Sequence, residues 1–271
     1  MTQDLATAEA FADSWNHLPS GSVYTNDQFE EWFAPLTPGD VRDKTVLELG
    51  CGNGSLLVHM ADWEPSHLVG VDLGSSVVSA RMNMEGSGFD RYELVQADLT
   101  TYASEGFDLA YSIGVLHHLK EPIKGFESVI ANTKPGGRFH CWVYAREGNA
   151  VVIGLVDPLR KIVSRLPWWF TKYFVATPLA FPYFIYAKLL RRFRHLSWLK
   201  AAPLFEYSLW IAQRGFLFFR HVAFDQLVTP QTTYIDRRTI ESWLRNSRIK
   251  PDSTYIIFRN GNSWKFGGTI L

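Results

Sequence analysis

The sequence predicts an α/β fold: a doubly wound, mostly parallel, seven-stranded sheet with an antiparallel terminal hairpin and a helical insertion after the fifth strand. Three observations lead to this fold class. Short apolar runs alternate with helical patterns up to about residue 145, as in βαβ units. Two β-rich runs flank Asn260-Gly261-Asn262, and Asn-Gly between strands favours a hairpin. About ninety residues with their own helical patterns separate the fifth strand from the last helix.

The alternation places five strands before the insertion. They are predicted at Thr45–Leu49, Leu68–Val71, Tyr92–Gln96, Phe107–Ser112 and Arg138–Tyr144. Helices are predicted at Ser55–Ala61, Ser75–Glu85, Ile123–Asn132 and Arg237–Asn246. This order gives right-handed crossovers and helices on both faces of a parallel sheet. The chain therefore divides into an N-terminal helical segment (1–40), a sheet-forming core (41–146 and 237–271) and an inserted helical cap (147–236).

Composition limits the class of protein. The 271 residues carry 27 Lys or Arg and 27 Asp or Glu, so the global charge predicts neither a nucleic-acid nor a membrane partner. Cys51 and Cys141 have no CxxC spacing and no His/Cys cluster nearby, which predicts no zinc site and fits a reducing compartment. The first residues have no basic segment followed by an apolar run, so a cytoplasmic location is expected.

The stretch VLELGCGNGSL (46–56) runs a strand pattern into three alternating glycines. Gly50, Gly52 and Gly54 allow positive φ and close approach of the backbone to a ligand at the first strand–helix turn, where doubly wound sheets bind their ligands. The spacing is GxGxG. Ser55 stands where the dinucleotide fingerprint needs its last glycine or alanine, which disfavours an NAD(P) oxidoreductase. The preceding acid, Glu48, suits a ligand with a positive group better than a pyrophosphate.

Four landmarks follow this stretch in order: VDL (71–73), QADL (96–99), FDLAYSIGVLHH (107–118) and KPGGR (134–138). With ELGCGNG (48–54) and the terminal hairpin, they resemble the motifs of the class I S-adenosylmethionine (SAM)-dependent methyltransferases over residues 40–145 and 237–271. The resemblance implies a Rossmann-like core that binds SAM and releases S-adenosylhomocysteine (SAH). It implies that Asp72 holds the ribose hydroxyls and that Asp98 accepts a hydrogen bond from the adenine amine.

The expected cofactor site combines acidic, glycine and apolar positions. It comprises Glu48, Gly50, Gly52, Gly54, Asp72, Leu73, Asp98, Leu99 and Ile113. Leu73 and Leu99 can cover the faces of the adenine ring. The structural alternative for Asp72 and Asp98 is helix capping, since both lie near strand-to-helix joins. Glu48 can instead anchor the glycine loop through backbone amides.

The loop after the fourth strand, SIGVLHHL (112–119), faces the methyl group in this family and therefore bears on the acceptor. It lacks the [DNS]PP[YF] motif of nucleobase-amine enzymes, and it lacks carboxylates that would hold magnesium. A metal-independent reaction and no nucleic-acid partner are expected. His117 and His118 cannot share a face of a regular element; either is a candidate base, and the structural alternative is capping or packing. Tyr24 and Trp15 are candidates for contact with the sulfonium or the substrate.

The cap has a charge bias and an aromatic bias. Pro158–Val222 holds eleven Lys or Arg, one Glu and seventeen aromatic residues, a local balance of +10 in a neutral chain. Its longest uncharged run, Tyr173–Ala187, has fifteen residues and contains two prolines, whereas a membrane span needs about 20. We therefore expect short helices and no span.

Three interpretations of the cap stay open. It can be a helical layer whose aromatics are core, a lid that recognises an anionic or hydrophobic small molecule, or a peripheral surface that contacts anionic lipid. The lid is favoured, because insertions after the fifth strand cover the substrate site in related enzymes. Candidate substrate contacts are Trp15, Arg160, Arg214, Asp225 and Tyr234.

The sequence thus predicts a SAM-dependent methyltransferase that transfers a methyl group to an O, N or C atom of a small-molecule metabolite bound under the cap. One alternative is a peripheral-membrane methyltransferase of a lipid or quinone-like substrate. Another is a non-catalytic SAM-binding protein, which the intact glycine motif disfavours.

Overall fold

The computed structural model describes the backbone of residues 3–16 and 24–271 and the side chains of residues 4–12 and 24–271. Its strands are β1 (Thr45–Leu49), β2 (His67–Asp72), β3 (Tyr92–Gln96), β4 (Phe107–Ile113), β5 (Thr133–Tyr144), β6 (Tyr255–Arg259) and β7 (Ser263–Thr269). They form one seven-stranded sheet of order β3-β2-β1-β4-β5-β7-β6. β1 to β5 pair in parallel, and β7 runs antiparallel to both β5 and β6. The predicted fold class is confirmed.

The helices of the core and the cap follow in chain order. They are α1 (Gln3–Asn16), α2 (Asn26–Phe33), α3 (Ser55–Ala61), α4 (Val77–Ser87) and α5 (Pro122–Ala131), then α6 (Asp157–Val163), α7 (Trp168–Phe170), α8 (Thr177–Arg192), α9 (Phe205–Ala212) and α10 (Phe216–Val228) in the cap, and α11 (Arg237–Trp243). Most core boundaries lie within two residues of the predicted ones.

Two boundaries differ more. β5 begins five residues earlier than predicted, because the KPGGR turn stays attached to the sheet: Thr133 pairs with Phe107, and the register shifts before Leu109. α11 ends at Trp243 rather than at Asn246. Neither difference moves a residue at the carboxyl ends of the parallel strands.

Apolar side chains cover both faces of the sheet, as the alternation along each strand requires. Val46 of β1 belongs to a cluster with Phe29, Phe33 and Met60 from α2 and α3. Leu47, next along β1, belongs to the opposite cluster, which includes residues of α5 and α11. The chain order of the strands reverses between β1 and β4, and in such sheets ligands bind outside the carboxyl ends of the strands at this point.

The cap contains one long helix where Pro178 and Pro182 predicted breaks, whereas α6 and α9 are short. α7, a π-helical segment (Thr171–Ala176) and α8 join into one helix, Trp168–Arg192, of 25 residues. We call it the long cap helix. By length and composition it could cross a membrane, and only 22% of its most apolar window is buried inside the protein. The sequence prediction counted only the uncharged run Tyr173–Ala187 and therefore underestimated the length of this helix.

The long cap helix tolerates its two prolines for local reasons. Pro178 directly follows the π-helical segment, inside the long cap helix, where the N–H of Thr177 donates to the carbonyl of Lys172. Pro182 lies in the helix interior but on the exposed side, where water can satisfy the carbonyl that loses its partner. The hydroxyl of Thr177 also donates to the carbonyl of Lys172 at 2.8 Å across the π-helical segment. Pro178 and Pro182 therefore do not end the long cap helix.

The two ends of the cap meet on the sheet. The N–H of Ile235 donates to the carbonyl of Tyr144 at 3.0 Å, and the N–H of Arg146 donates to the carbonyl of Ile235 at 3.1 Å. Ala145 and Ile235 form an isolated parallel bridge. The chain thus leaves the core at the end of β5 and returns to the same place.

Candidate active site

A cavity of about 830 Å³ lies at the carboxyl ends of β1 and β4, between the sheet, α1 and the cap. The structure brings most of the sequence-predicted site residues to its lining: Tyr24, Glu48, Gly50, Gly52, Asp72, Leu73, Asp98, Leu99, Ile113, His118, Asp225 and Tyr234. It does not place Gly54, His117, Arg160 or Arg214 there. The side chain of Trp15 lies outside the described residues.

The glycine loop is shaped by close packing on both sides. Gly50 is held at φ +88°, and a Cβ atom there would lie 2.4 Å from Cγ2 of Val115. Gly54 has φ +74°, and a Cβ atom there would lie 3.2 Å from Cα and Cβ of Ala80 in α4. Gly50 therefore keeps the loop open beside the cavity, whereas Gly54 lets α3 begin close against α4 rather than touching a ligand.

Asp72 both fastens this loop and lines the cavity. Its Oδ2 accepts from the N–H of Gly52 at 2.9 Å, and its Oδ1 accepts from the N–H of Gly74 at 2.8 Å and from the Ser76 hydroxyl at 3.3 Å. Burial raises the pKa of Asp72, and these hydrogen bonds offset the rise only in part. The fastening of the loop and the predicted contact with a ribose are compatible, because a carboxylate has four acceptor positions.

Asp98 is arranged in the same way at the end of β3. Its Oδ1 accepts from the N–H of Thr100 at 2.8 Å and from the Thr100 hydroxyl at 2.7 Å. The residue lines the cavity together with Leu99. Two acids and an apolar side chain thus stand at adjacent strand ends, where the sequence predicted the ribose and adenine contacts.

Glu48 does not anchor the glycine loop through amides, as one interpretation of the sequence expected. The N–H groups of Gly50 and Cys51 donate to the carbonyl of Val71 at 2.7 and 3.0 Å instead. Glu48 is buried, and its Oε2 accepts from the Tyr111 hydroxyl at 3.0 Å. Burial raises the pKa of Glu48 to about 8, against the lowering effect of the Tyr111 bond. Its carboxyl group is therefore mostly protonated at neutral pH.

The two histidines after β4 lie on a 3₁₀ turn, Leu116–His118, with 4.1 Å between their ring centroids, and only His118 lines the cavity. His117 is fully buried against Tyr144, with 4.0 Å between ring centroids, and neither ring nitrogen has a hydrogen-bond partner among the described residues. Burial lowers its pKa well below the usual range. The structural alternative of packing therefore describes His117.

His118 is the histidine that lines the cavity. Its Nδ1 lies 2.9 Å from the carbonyl oxygen of Gln231, so Nδ1 carries the proton and Nε2 is the free acceptor of a neutral ring. Burial lowers the pKa of His118 to about 3. A neutral imidazole with so low a pKa is a weak base, and it can orient an acceptor more readily than it can take a proton.

α1 lies across the cofactor side of the cavity. The N–H of Lys120 donates to Oδ1 of Asp4 at 2.8 Å, and the Ser75 hydroxyl donates to Oε2 of Glu9 at 2.8 Å. A Cβ atom at Gly74 would lie 3.0 Å from the carbonyl oxygen of Ala8. The N-terminal helix is thus fastened to the loops after β2 and β4, over Asp72 and Asp98.

A group of polar residues faces the cavity from the cap side. Tyr234 stacks on Tyr144 with 6.2 Å between ring centroids. Asp225 of α10 pairs with His221, with 3.2 Å between Nε2 and Oδ2. Tyr24 meets Trp32 edge-on at 4.6 Å between ring centroids. Burial, followed by the charge of Asp225, raises the pKa of the Tyr24 hydroxyl, which therefore stays protonated.

The two cap arginines that the sequence offered as substrate contacts bind other residues of the protein instead, including, for Arg214, Glu31 of α2 at 3.8 Å. Arg160 is buried and donates from Nε to the Gln226 carbonyl at 2.6 Å and from NH1 to Oδ1 of Asp157 at 2.7 Å. Arg214 lies over the Trp210 ring, 3.8 Å from its centroid, and donates to the Trp210 carbonyl at 2.8 Å. Arg160 thus ties α6 to α10, and Arg214 covers the end of α9.

Sequence reasoning missed the residues that line the far side of the cavity. They are Trp142, Tyr144, Asn149, Tyr183, Tyr207, Trp210, Phe218, Phe219, Arg259 and Asn262. On the cofactor side it missed Asp4, Thr7, Ala8 and Phe11 of α1. Tyr144 could have been found, because it ends a parallel strand beside the switch point. The residues from α8 to α10 and from the terminal hairpin carry no local signal of this kind.

Metal-ligating side chains are not clustered in the described part of the chain. Across those residues, no group of three or more His, Cys, Asp or Glu side chains could hold a metal ion. The metal-independent reaction stays a prediction.

Known proteins share both the sequence motifs and the fold. Residues 40–150 match a protein family described as "Methyltransferase domain". A tRNA U34 carboxymethyltransferase of Desulfotalea psychrophila is 27% identical over 101 residues, which are 36% of this chain and 32% of that protein. A phosphoethanolamine N-methyltransferase of Triticum aestivum is 31% identical over 131 residues, which are 48% of this chain and 25% of that protein. The chain thus spans a third or less of the length of these relatives.

A solved structure extends the likeness to nearly the whole chain. The magnesium protoporphyrin IX methyltransferase of Synechocystis, with bound SAH, aligns over 96% of this chain and 93% of its own, with a TM-score of 0.54 and 14% identity. At this identity the likeness concerns the fold alone. Residues 40–150 thus belong to a methyltransferase domain family, and the chain as a whole has a fold like that of a SAM-dependent methyltransferase.

Proposed function

We propose that the chain transfers the methyl group of SAM to a small, largely apolar acceptor bound beneath the cap. The observation that carries this proposal is the shared cavity. Gly50, Gly52, Asp72 and Asp98 line one side of it, and apolar side chains of the cap line the other. Methyl transfer is an in-line displacement, so a single cavity that aligns two ligands suits the reaction.

The cap side of the cavity favours an acceptor with few polar groups. Its apolar lining includes Leu155, Leu159, Phe219 and Val222. Such a surface would lose free energy against a charged or strongly polar ligand, whereas it gains about 25 cal/mol per Å² of apolar area that it buries. A few polar side chains would then orient the acceptor, as is typical of small-molecule pockets.

The polar groups that can orient the acceptor include those of Tyr144, Asp225 and Tyr234, with His118 nearby. When SAM is bound, it supplies an electrophilic methyl group on its sulfonium. The protein would then hold the acceptor atom in line and exclude water. Because the pKa of His118 is about 3, this residue is suited to accepting a hydrogen bond rather than to removing a proton.

Nucleic acid is a poorer fit than a small molecule. Arg259 is the one Lys or Arg among the described residues that line the cavity, whereas binding a strand would need a basic groove with exposed stacking surfaces. One relative is named as a tRNA carboxymethyltransferase, so the distinction between nucleic acid and a small molecule needs a direct test.

We also propose a reducing cytoplasmic compartment for the chain, in line with its two free, buried cysteines.

Labelled methyl transfer would test the class of acceptor. The protein is incubated with SAM that carries a tritiated methyl group and with a cell extract separated into organic-soluble, water-soluble and RNA fractions. We expect label in the organic-soluble fraction, because the cap side of the cavity is apolar. The Asp72→Asn protein serves as the control and should transfer little label. Label that appears only in RNA would contradict the proposal.

The reaction is expected to proceed without a divalent metal. The loop after β4 offers no carboxylate cluster, and the acceptor would be oriented by tyrosines and His118. Methyl transfer measured with and without an excess of EDTA over trace metal should differ by less than about twofold. A magnesium-dependent methyltransferase in the same buffer is the positive control. Activity that EDTA abolishes and magnesium restores would refute the expectation.

A further inference from the structure

The long cap helix presents an apolar stripe to the outside of the molecule. Phe174 is 63% exposed, Phe181 is 55% exposed and Leu189 is 54% exposed. Phe170 and Ile185 continue the same stripe. The spacings of four and seven residues place these side chains on one face of the helix. We call this stripe the outer face of the cap.

The opposite face of the same helix is packed into the cap. Ala180 and Ala187 belong to a buried cluster with Ile211 of α9 and Phe219 of α10. A helix that is apolar all round can cross a membrane, whereas one that packs along one side and exposes an apolar stripe on the other suits the plane of the interface. The outer face is therefore suited to a helix that lies flat on a lipid surface.

Basic residues stand at both ends of the outer face. Arg165 lies in the turn that leads into the long cap helix, and Lys161 lies one turn before it on α6. Both are exposed and form no ion pair with any described residue. At the other end Arg192 and Arg194 are exposed. This arrangement complements an anionic lipid surface, to which each nearby basic residue adds about 1 kcal/mol of attraction.

The cavity opens beside the long cap helix. Leu179 of the long cap helix lines the cavity and is 52% exposed, and Leu155, also in the lining, is 70% exposed. Side chains that line a cavity and face solvent mark its opening. With the long cap helix lying in the interface, this apolar opening would let a lipid-like molecule pass between the lipid and the cavity without crossing water.

We propose that the outer face of the cap docks on an anionic lipid bilayer, with the long cap helix in the plane of the interface and the cavity mouth toward the lipid. Resting on the function proposed above, the acceptor is then an amphiphile drawn from that bilayer. Zero net charge over the whole chain is no obstacle, because screening leaves only charges within about 8–10 Å of the surface to act.

Vesicle co-sedimentation tests the docking without any methyl transfer. The full chain is spun with vesicles of phosphatidylcholine alone or mixed with phosphatidylglycerol, at low and at physiological salt. We expect binding to the anionic vesicles that weakens with salt. Combined Phe174→Ser, Phe181→Ser and Ile185→Ser substitution should lower it about tenfold or more. Lys161→Gln with Arg165→Gln should lower it mainly at low salt.

A matched control separates docking from general loss of apolar surface. Val78 and Met82 are exposed apolar residues on α4, 66% and 58% accessible, away from the cap. Val78→Ser with Met82→Ser should leave vesicle binding unchanged. SAH binding measured by calorimetry on every variant shows that each one is folded.

Three outcomes would overturn the docking. They are the absence of vesicle binding, equal losses in the outer-face and α4 variants, and self-association of the chain through the outer face with no lipid binding. The function proposed above is tested separately. Vesicle binding without label in the organic-soluble fraction would refute the proposed acceptor class but not the docking. Label in that fraction without vesicle binding would refute the docking but not the acceptor class.

Discussion

Replacing Glu48 by glutamine is expected to remove several kcal/mol of pH dependence from the stability of the ligand-free protein. Glu48 is buried beside Tyr111, and burial raises its pKa to about 8, whereas a glutamate in an unfolded chain has a pKa near 4.3. Between these values the folded state keeps a proton that the unfolded state has released. The stabilisation is thus complete below about pH 4.3 and is lost as the pH rises through about 8.

The expected slope is up to about 1.4 kcal/mol per pH unit within that window. Urea unfolding at pH 5, 6, 7 and 8 measures it. The wild-type free energy of unfolding should fall relative to that of Glu48→Gln by about 3–4 kcal/mol across this range. Glutamine keeps the shape and an acceptor oxygen for Tyr111, so the substitution isolates the charge.

Two comparisons make this result interpretable. Burial lowers the pKa of His118 and His140 to about 3, so both destabilise the folded state as the pH falls below about 6.5. They act alike in both proteins and cancel in the difference. Glu127→Gln makes the same chemical change on an exposed helix surface and should follow the wild type. Parallel curves for wild type and Glu48→Gln would show that Glu48 is ionised in the fold.

Substitution of Asp72 by asparagine is expected to weaken SAM binding by about 1–3 kcal/mol, or roughly 5- to 150-fold. The amide replaces one carboxylate oxygen by a donor, and both oxygens already accept from donors in the loop: Gly52 N–H at 2.9 Å and Gly74 N–H at 2.8 Å. The change removes the charge offered to the ribose hydroxyls and disturbs the loop beside it. Calorimetric titration with SAM and with SAH measures the loss.

Asp108 provides the matched control. Its Oδ2 accepts from the N–H of Thr45 at 2.8 Å, so it also fastens backbone, but it lies at the amino ends of β1 and β4. Asp108→Asn should reduce stability without changing SAM affinity. If Asp72→Asn bound SAM as tightly as the wild type, Asp72 would be a structural residue only.

The core of the fold follows from the sequence because its signals are local. The run TVLEL with a glycine turn and SLLVHMA after it defines β1 and α3 with the observed boundaries. The acids Asp72 and Asp98 lie at or just after the ends of their strands, and parallel strands bring such ends together. The part of the cofactor half that the sheet supplies could therefore be predicted from local sequence patterns and the family resemblance, whereas the lining residues of α1 could not.

The other half could not, because tertiary packing creates it. Tyr207 and Arg259 reach the cavity from α9 and from β6, which are about fifty residues apart along the chain. The continuous long cap helix was missed for a related reason. A proline weakens a helix locally, but the packing of Ala180 and Ala187 against α9 and α10 holds the helix together across Pro178 and Pro182.

The meeting of the cap's two ends at Tyr144 and Ile235 makes residues 147–236 an exchangeable cassette. The pairing of β7 with β5 involves only residues outside this cassette. Selection can therefore rebuild the acceptor half of the cavity while the glycine loop and its two acids stay unchanged. A recombinant chain that carries a foreign cassette between Arg146 and Arg237 would inherit this chain's methyl donor and the other chain's acceptor preference.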